Sequence, residues 1–169
     1  MLTTAQLLVL KTDILADPVW GTLPHTEDSA EIIAIGYREI AVPDYMVWRD
    51  KVTETEYTDN TSAEGTNWSW TAYIARSLQE MNGWTRMFGN PENSINPSKP
   101  NVRQGIVDIF SGSTNNAPAQ RTHLAAISKK KANRLEKLFA AGAGTVASPS
   151  TMAVVGFIDR QTVFFAMGW

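Results

Sequence analysis

No cysteine occurs in the chain, and histidine only twice, as His25 and His123. The first absence excludes a disulfide framework, a thiolate metal site and a thiol nucleophile, and it suits a cytosolic history. The second leaves little imidazole chemistry: the two histidines lie in different segments, with no carboxylate or second ligand at metal-site spacing. Long apolar runs are missing as well. Stretches such as Met152 to Ile158 fall far short of the roughly 18 to 20 residues that a membrane helix requires, so no span is expected. The N-terminus carries Thr3, Thr4 and Gln6 where a signal peptide carries basic residues, and Asp13 and Asp17 follow closely. No secretory leader is therefore expected. Outside a secretory context the acceptor patterns Asn60-Thr61-Ser62 and Asn67-Trp68-Ser69 read as accidental.

The sequence also lacks H-E-x-x-H, G-x-S-x-G, G-x-x-x-x-G-K-[ST] and a G-x-G-x-x-G after a strand, which removes four common routes to hydrolysis or cofactor binding. Gly142-Ala143-Gly144 comes nearest to a phosphate loop, yet it follows a helical pattern and has no third glycine, so it reads as a helix C-cap and turn. Glu54 and Glu56 could do acid–base work if they shared an apolar cleft, but they sit in a polar stretch. These features predict a chain that is not an enzyme, with no catalytic, cofactor-binding or metal-binding residues and no cofactor.

What is present is a foldable composition: 43% hydrophobic and 19% charged residues, with six Trp and six Phe in 169 residues. That is too apolar for disorder and enough for one domain with a sizeable core. The net charge of −2 conceals an asymmetry, since residues 1–64 hold 12 acids and 4 bases whereas residues 65–169 hold 5 acids and 11 bases. Halves of −8 and +6 could attract copies of the chain or a partner, or simply make a dipolar monomer.

Helical stripes and caps dominate the pattern, and the expected fold class is all-α. Thr3 and Gln6 stand at capping-box spacing before a helix over 4–16, which Asp17-Pro18 ends. Asp28 and Glu31 open a second helix to about Arg38. A third segment after Pro43 and Asp44 places Tyr45, Trp48 and Val52 on one helical face. Thr53 to Thr66 is polar and irregular. From about Asn67 the spacing Trp70, Ile74, Leu78, Met81 describes one helical seam, with Gly83 as its first stop, and Val102, Ile106, Ile109 and Phe110 form another stripe. The longest helix is expected from Pro118 through Leu124, Ile127, Leu135 and Leu138 to Gly142. Beyond Ser148-Pro149, Asp159 caps residues 160–167, although Val154-Val155 and Thr162-Val163 would also suit a hairpin. The organisation read from this is a helical domain over 1–150, with a loop or arm at 90–100, and a tail segment over 151–169.

Interaction is the remaining source of function. The run Arg121, Lys129, Lys130, Lys131, Arg134 and Lys137, opposed only by Glu136, gives one expected helix a local charge of +5 and the means for weak contact with DNA. Trp48 and Trp70 sit on helical stripes and are expected in the core. Trp20, Trp68, Trp84 and Trp169 have no clear register, and some of them are candidate anchors for a partner. The Pro-rich loop that contains Asn96, Pro97 and Lys99 is either an arm on a neighbour or a crossing of its own domain. The candidate interface residues are thus Trp84, Asn96, Pro97, Lys99, Arg121, Lys129, Lys130, Lys131 and Trp169.

Three stretches carry a resemblance: Val47-Trp48-Arg49 with Val52; Ile95-Asn96-Pro97-Ser98 leading to Asn101-Val102-Arg103-Gln104-Gly105-Ile106; and Arg134-Leu135-Glu136-Lys137-Leu138-Phe139 running to Gly142, Gly144-Thr145 and Ala147-Ser148-Pro149. In order and spacing they resemble small structural proteins of tailed-bacteriophage virions, over roughly residues 1–160. The resemblance implies a head-to-tail connector or adaptor: a small helical protein repeated as a homo-oligomeric ring between portal and tail, assembled in the host cytoplasm and located in the virion. It supplies no catalytic residues. The alternatives are a nucleic-acid-binding packaging component that uses the Arg121–Lys137 run, another tail or baseplate subunit, or a hydrolase with an unrecognised site.

Overall fold

A computed structural model describes residues 2–154 and 156–169; Val155, and with it half of the Val154-Val155 pair, lies outside the described residues. Nine α-helices and six short strands occur along these residues, with half of the chain helical and a tenth in strands. The all-α expectation is therefore corrected to a mixed fold. Several segments with helical spacing are too short or too interrupted to nucleate a helix, and they pair as antiparallel ladders instead.

The chain forms two compact units, one built from residues 1–47 and 131–169 and the other from residues 48–130. In the first, α1 (Thr4–Ala16), a 3₁₀ turn (Trp20–Thr22), α2 (Glu27–Arg38), α8 (Arg134–Leu138) and α9 (Arg160–Met167) surround a core of Leu10, Ile14, Ile33, Tyr37, Leu135 and Val163. The capping box at Thr3 and Gln6 forms as its spacing predicts. Thr26, not Asp28, caps α2; Glu27 and Asp28 then occupy the first turn, where acids favour the helix dipole. Asp159 caps α9 and settles the tail as a helix over 160–167, not a hairpin.

Asp17, which ends α1, organises this unit. Its Oδ1 accepts the backbone N–H groups of Val19 and Trp20 at 2.9 and 3.0 Å, and its Oδ2 accepts Arg134 Nη2 at 3.0 Å. Arg134 lies 3.8 Å above the Trp20 ring, a geometry in which cation–π attraction adds to the ion pair. The indole in turn covers Gly36, where any Cβ would overlap it. Strands β5 (Ala140–Ala141) and β6 (Thr151–Met152) pair antiparallel, Ala140 opposite Met152 and Ala141 opposite Thr151. The helix start expected at Ser148-Pro149 is thus replaced by the return of a hairpin-like loop.

The second unit contains β2 (Val52–Thr53), α3 (Glu54–Asp59), α4 (Trp70–Ile74), α5 (Leu78–Phe88), β3 (Ser94–Ile95), α6 (Pro100–Ile109) and α7 (Ala117–Ile127). Strands β1 (Met46–Trp48) and β4 (Lys129–Lys131) mark the two places where the chain passes from one unit to the other. The helix expected after Pro43 is therefore extended chain, and the polar stretch read as irregular holds α3, started by a capping box of Thr53 and Glu56. β2 and β3 pair antiparallel in the register Val52 to Ile95 and Thr53 to Ser94. The core is aromatic: Trp84 is 1% exposed and lies among Tyr57, Trp68, Tyr73, Phe88 and Phe110 at ring distances of 4.7–6.4 Å. His123 is fully buried, with Nε2 2.7 Å from the Tyr57 carbonyl oxygen and Nδ1 3.1 Å from that of Thr66, so its role is to tie α7 to the chain around α3.

Candidate interaction surface

The seam Trp70, Ile74, Leu78 is the most informative departure from the sequence pattern. Ser69 caps α4 by accepting the N–H of Ala72, and Ser77 starts a new helix by the same device with Glu80. The single helix expected from about Asn67 to Gly83 is thus two helices. Ala72, Tyr73 and Trp84 face the core, whereas Trp70, Ile74 and Leu78 are 61%, 71% and 70% exposed. Burial of such side chains is each worth about 1.5–3 kcal/mol or more. Exposed apolar side chains of this size, two on α4 and one at the start of α5, are suited to contact with another protein. Trp70, expected in the core, is corrected to the surface; Trp48, also expected there, is half-buried on β1.

The residues singled out in the sequence fare differently. Trp84 is corrected from anchor to core centre: α5 carries it inward, and its Nε1–H donates to Glu54 Oε1 at 2.6 Å. Trp169 is half-buried, stacked on His25 at 4.8 Å and edge-on to Phe164. The loop around Asn96 and Pro97 crosses its own unit and is not a free arm. Ile95 enters the core through β3, Pro97 is buried, Asn96 Oδ1 accepts the Ser98 N–H at 2.9 Å, and Arg103 Nη1 donates to the carbonyls of Pro97 and Ser98 at 2.6 and 2.8 Å. Lys99 is exposed just before α6.

The basic run does not lie along one helix. α7 ends at Ile127, Lys129–Lys131 is strand, and α8 begins only at Arg134. Ser128 interrupts the helix by returning its hydroxyl to the Leu124 carbonyl and meeting the Tyr57 hydroxyl at 2.7 Å. Its cations have partners within the chain: Arg121 with the carbonyls of Phe110 and Gly112, Lys129 with Glu64 at 3.6 Å, Lys131 with Asp44 at 2.6 Å, Arg134 with Asp17, and Lys137 with the Tyr45 ring at 5.8 Å. Lys130 is half-buried and also has an interaction partner. Folding also regroups the charges. The first unit holds nine acids and six bases, the second eight acids and nine bases, giving −3 and +1 in place of −8 and +6. Because the first unit takes chain from both ends, the two units do not inherit the charge difference between the halves of the sequence.

Carboxylates with shifted acidity serve local structure. The Trp20 backbone N–H, helped by Arg134 and the Val19 N–H, holds the Asp17 carboxyl below its usual range despite the opposing effect of burial. At Glu56 burial acts upward but is outweighed by the Thr53 N–H and by Arg49, with which it forms an ion pair. Among the described residues, no group of three or more His, Asp or Glu side chains is placed to hold a metal ion. No helix is long and apolar enough to cross a membrane among those residues.

The first two resembling stretches meet in the second unit. The Arg103 guanidinium stacks 4.5 Å from the Trp48 ring while it holds the Pro97 and Ser98 carbonyls, and Val52 pairs with Ile95. The third lies in the first unit, where the Tyr45 hydroxyl donates to the Gly142 carbonyl at 2.9 Å and the ring covers Gly144. No protein-family model, curated protein or solved structure matches the chain.

Proposed function

We propose that this chain is a structural subunit of a tailed-phage virion, a head-to-tail connector that acts in a ring between portal and tail. The observation that carries the reading is the exposure of Trp70, Ile74 and Leu78, three large apolar side chains on the surface of the second unit. A subunit built into a particle covers such a surface with its neighbours. The sequence resemblance supplies the kind of particle. Two of its three stretches converge on the contacts of Trp48, Arg103 and Pro97, which supports reading them as one structural motif. The experiment is mass spectrometry and cryo-electron microscopy of gradient-purified particles of the phage that encodes the chain. The reading expects the protein in fixed copy number at the neck; its absence from complete particles would overturn it.

A further inference from the structure

A cleft of about 170 Å³ in the second unit is lined by Trp48, Arg103, Ile106, Val107, Arg121 and Ala125. Two guanidinium groups share it, and neither has an ion pair with a carboxylate among the described residues. Both are held in place by backbone carbonyls. Arg103 gives Nη1 to Pro97 and Ser98, and Arg121 gives Nη1 to Phe110 and Gly112, so in each the Nε and Nη2 donors have no protein partner among the described residues. The Arg103 guanidinium carbon lies over the Trp48 ring, 4.5 Å from its centre. The nearby acid on α6, Asp108, is engaged by Gln104 Nε2 at 2.8 Å.

We propose that this cleft is a recognition site for the terminal carboxylate of an apolar residue, presented by another protein. Two positioned guanidinium forks match the planar, bidentate geometry of a carboxylate. Ile106, Val107 and Ala125 supply an apolar wall for the apolar side chain. The small volume and the apolar wall favour this ligand over a nucleic-acid backbone, which needs a groove that continues from phosphate to phosphate. Partial burial lowers the pKa of the Arg103 guanidinium from its ordinary value, as expected for a cation partly withdrawn from water. The proposal stands independently of the connector reading.

The test is an NMR titration of the full chain, following the Arg Nε–H and Trp indole N–H signals, with four probes. These are N-acetyl-leucine, its amide, inorganic phosphate and a single-stranded oligonucleotide. N-acetyl-leucine is expected to shift the Arg103, Arg121 and Trp48 signals saturably, and the amide to bind at least about tenfold more weakly, a loss of about 1.4 kcal/mol. Val107→Glu, at an exposed position on the rim, is expected to place a carboxylate in the cleft and abolish binding while the remaining spectrum stays folded. Equal binding of acid and amide, no response at these three side chains, or tighter binding of phosphate or oligonucleotide would each overturn the proposal.

Discussion

Trp84 donates its indole N–H to Glu54 across 2.6 Å, joining the centre of the aromatic core to the first turn of α3. The bond explains why a tryptophan tolerates complete burial here: its polar atom has a partner, and an unpaired one would cost about 1–3 kcal/mol. Trp84→Ala should therefore lower stability by about 3–5 kcal/mol. Trp84→Phe, which keeps most of the apolar contact but leaves Glu54 without its donor, should fall between the two. Urea midpoints of the three proteins check this, and an unchanged midpoint for Trp84→Ala would place the residue outside the core.

Gly144 lies at φ +65° directly beneath the Tyr45 ring, so a Cβ there meets both an unfavourable backbone conformation and the aromatic carbons. Left-handed backbone costs a non-glycine residue roughly 1–2 kcal/mol, and overpacking typically another 1–3. The ring cannot swing away freely, because its hydroxyl bonds to the Gly142 carbonyl and to Ser150 Oγ at 2.9 and 2.8 Å. Gly144→Ala should thus destabilise by about 2–4 kcal/mol. In a double-mutant cycle with Tyr45→Ala the second substitution should recover part of that loss; strictly additive values would show that ring contact is not the cause.

These examples show what could be read from the residues and what could not. Local signals carried well: the Thr3 and Gln6 box, the Asp17-Pro18 stop and the Asp159 cap all mark real helix boundaries. The Trp70 to Met81 seam failed because spacing reports which residues share a face, not which face is buried. The clue was present in Ser69 and in Ser77 with Glu80, two cap signals inside the supposed helix. Nothing local shows that Ile95 pairs beside Val52, or that Arg103 stacks on Trp48, since both contacts depend on tertiary closure over more than forty residues. The same closure dispersed the apparent charge asymmetry and split the basic run. The exposed seam and the two-arginine cleft could therefore be seen only in three dimensions.

The depressed acidity of Asp17 gives a signed pH dependence. Because its carboxyl is more acidic in the folded chain than the unfolded value of about 3.9, its contribution is complete above that value and is lost as pH falls through the folded one. Asp17→Asn should accordingly be less stable than wild type near neutrality, with the gap closing as acid protonates the wild-type carboxylate. Thermal melts over a pH series check the sign. A gap that widened on acidification would contradict the assigned bonds to Trp20, Val19 and Arg134.

Folding and assembly are separable at Trp70, Ile74 and Leu78. Ile74 and Leu78 face solvent in the single chain, so replacing them with polar residues removes little packing, whereas the exposed Trp70 also meets the Trp68 and Tyr73 rings edge-on at 5.6 and 5.9 Å. Surface substitutions away from special features usually change stability within about 0.5 kcal/mol each. Ile74→Gln should leave the circular dichroism spectrum and the urea midpoint almost unchanged, and Leu78→Gln, at the first position of α5, should behave likewise because the Ser77 and Glu80 box remains; Trp70→Ser should keep the spectrum and lower stability by about 0.5–1.5 kcal/mol through its lost ring contacts. If neighbours cover the seam in the particle, the same changes remove anchors from an interface. A buried tryptophan is the residue type most often worth 2 kcal/mol or more at such a site, or roughly a thirtyfold loss of affinity per contact. The triple variant should therefore fold normally yet fail to enter particles in a complementation assay, with Trp70→Ser alone giving the largest single defect. Wild-type incorporation of a folded triple variant would show that the seam faces solvent in the particle too, and would remove the observation on which the connector reading rests.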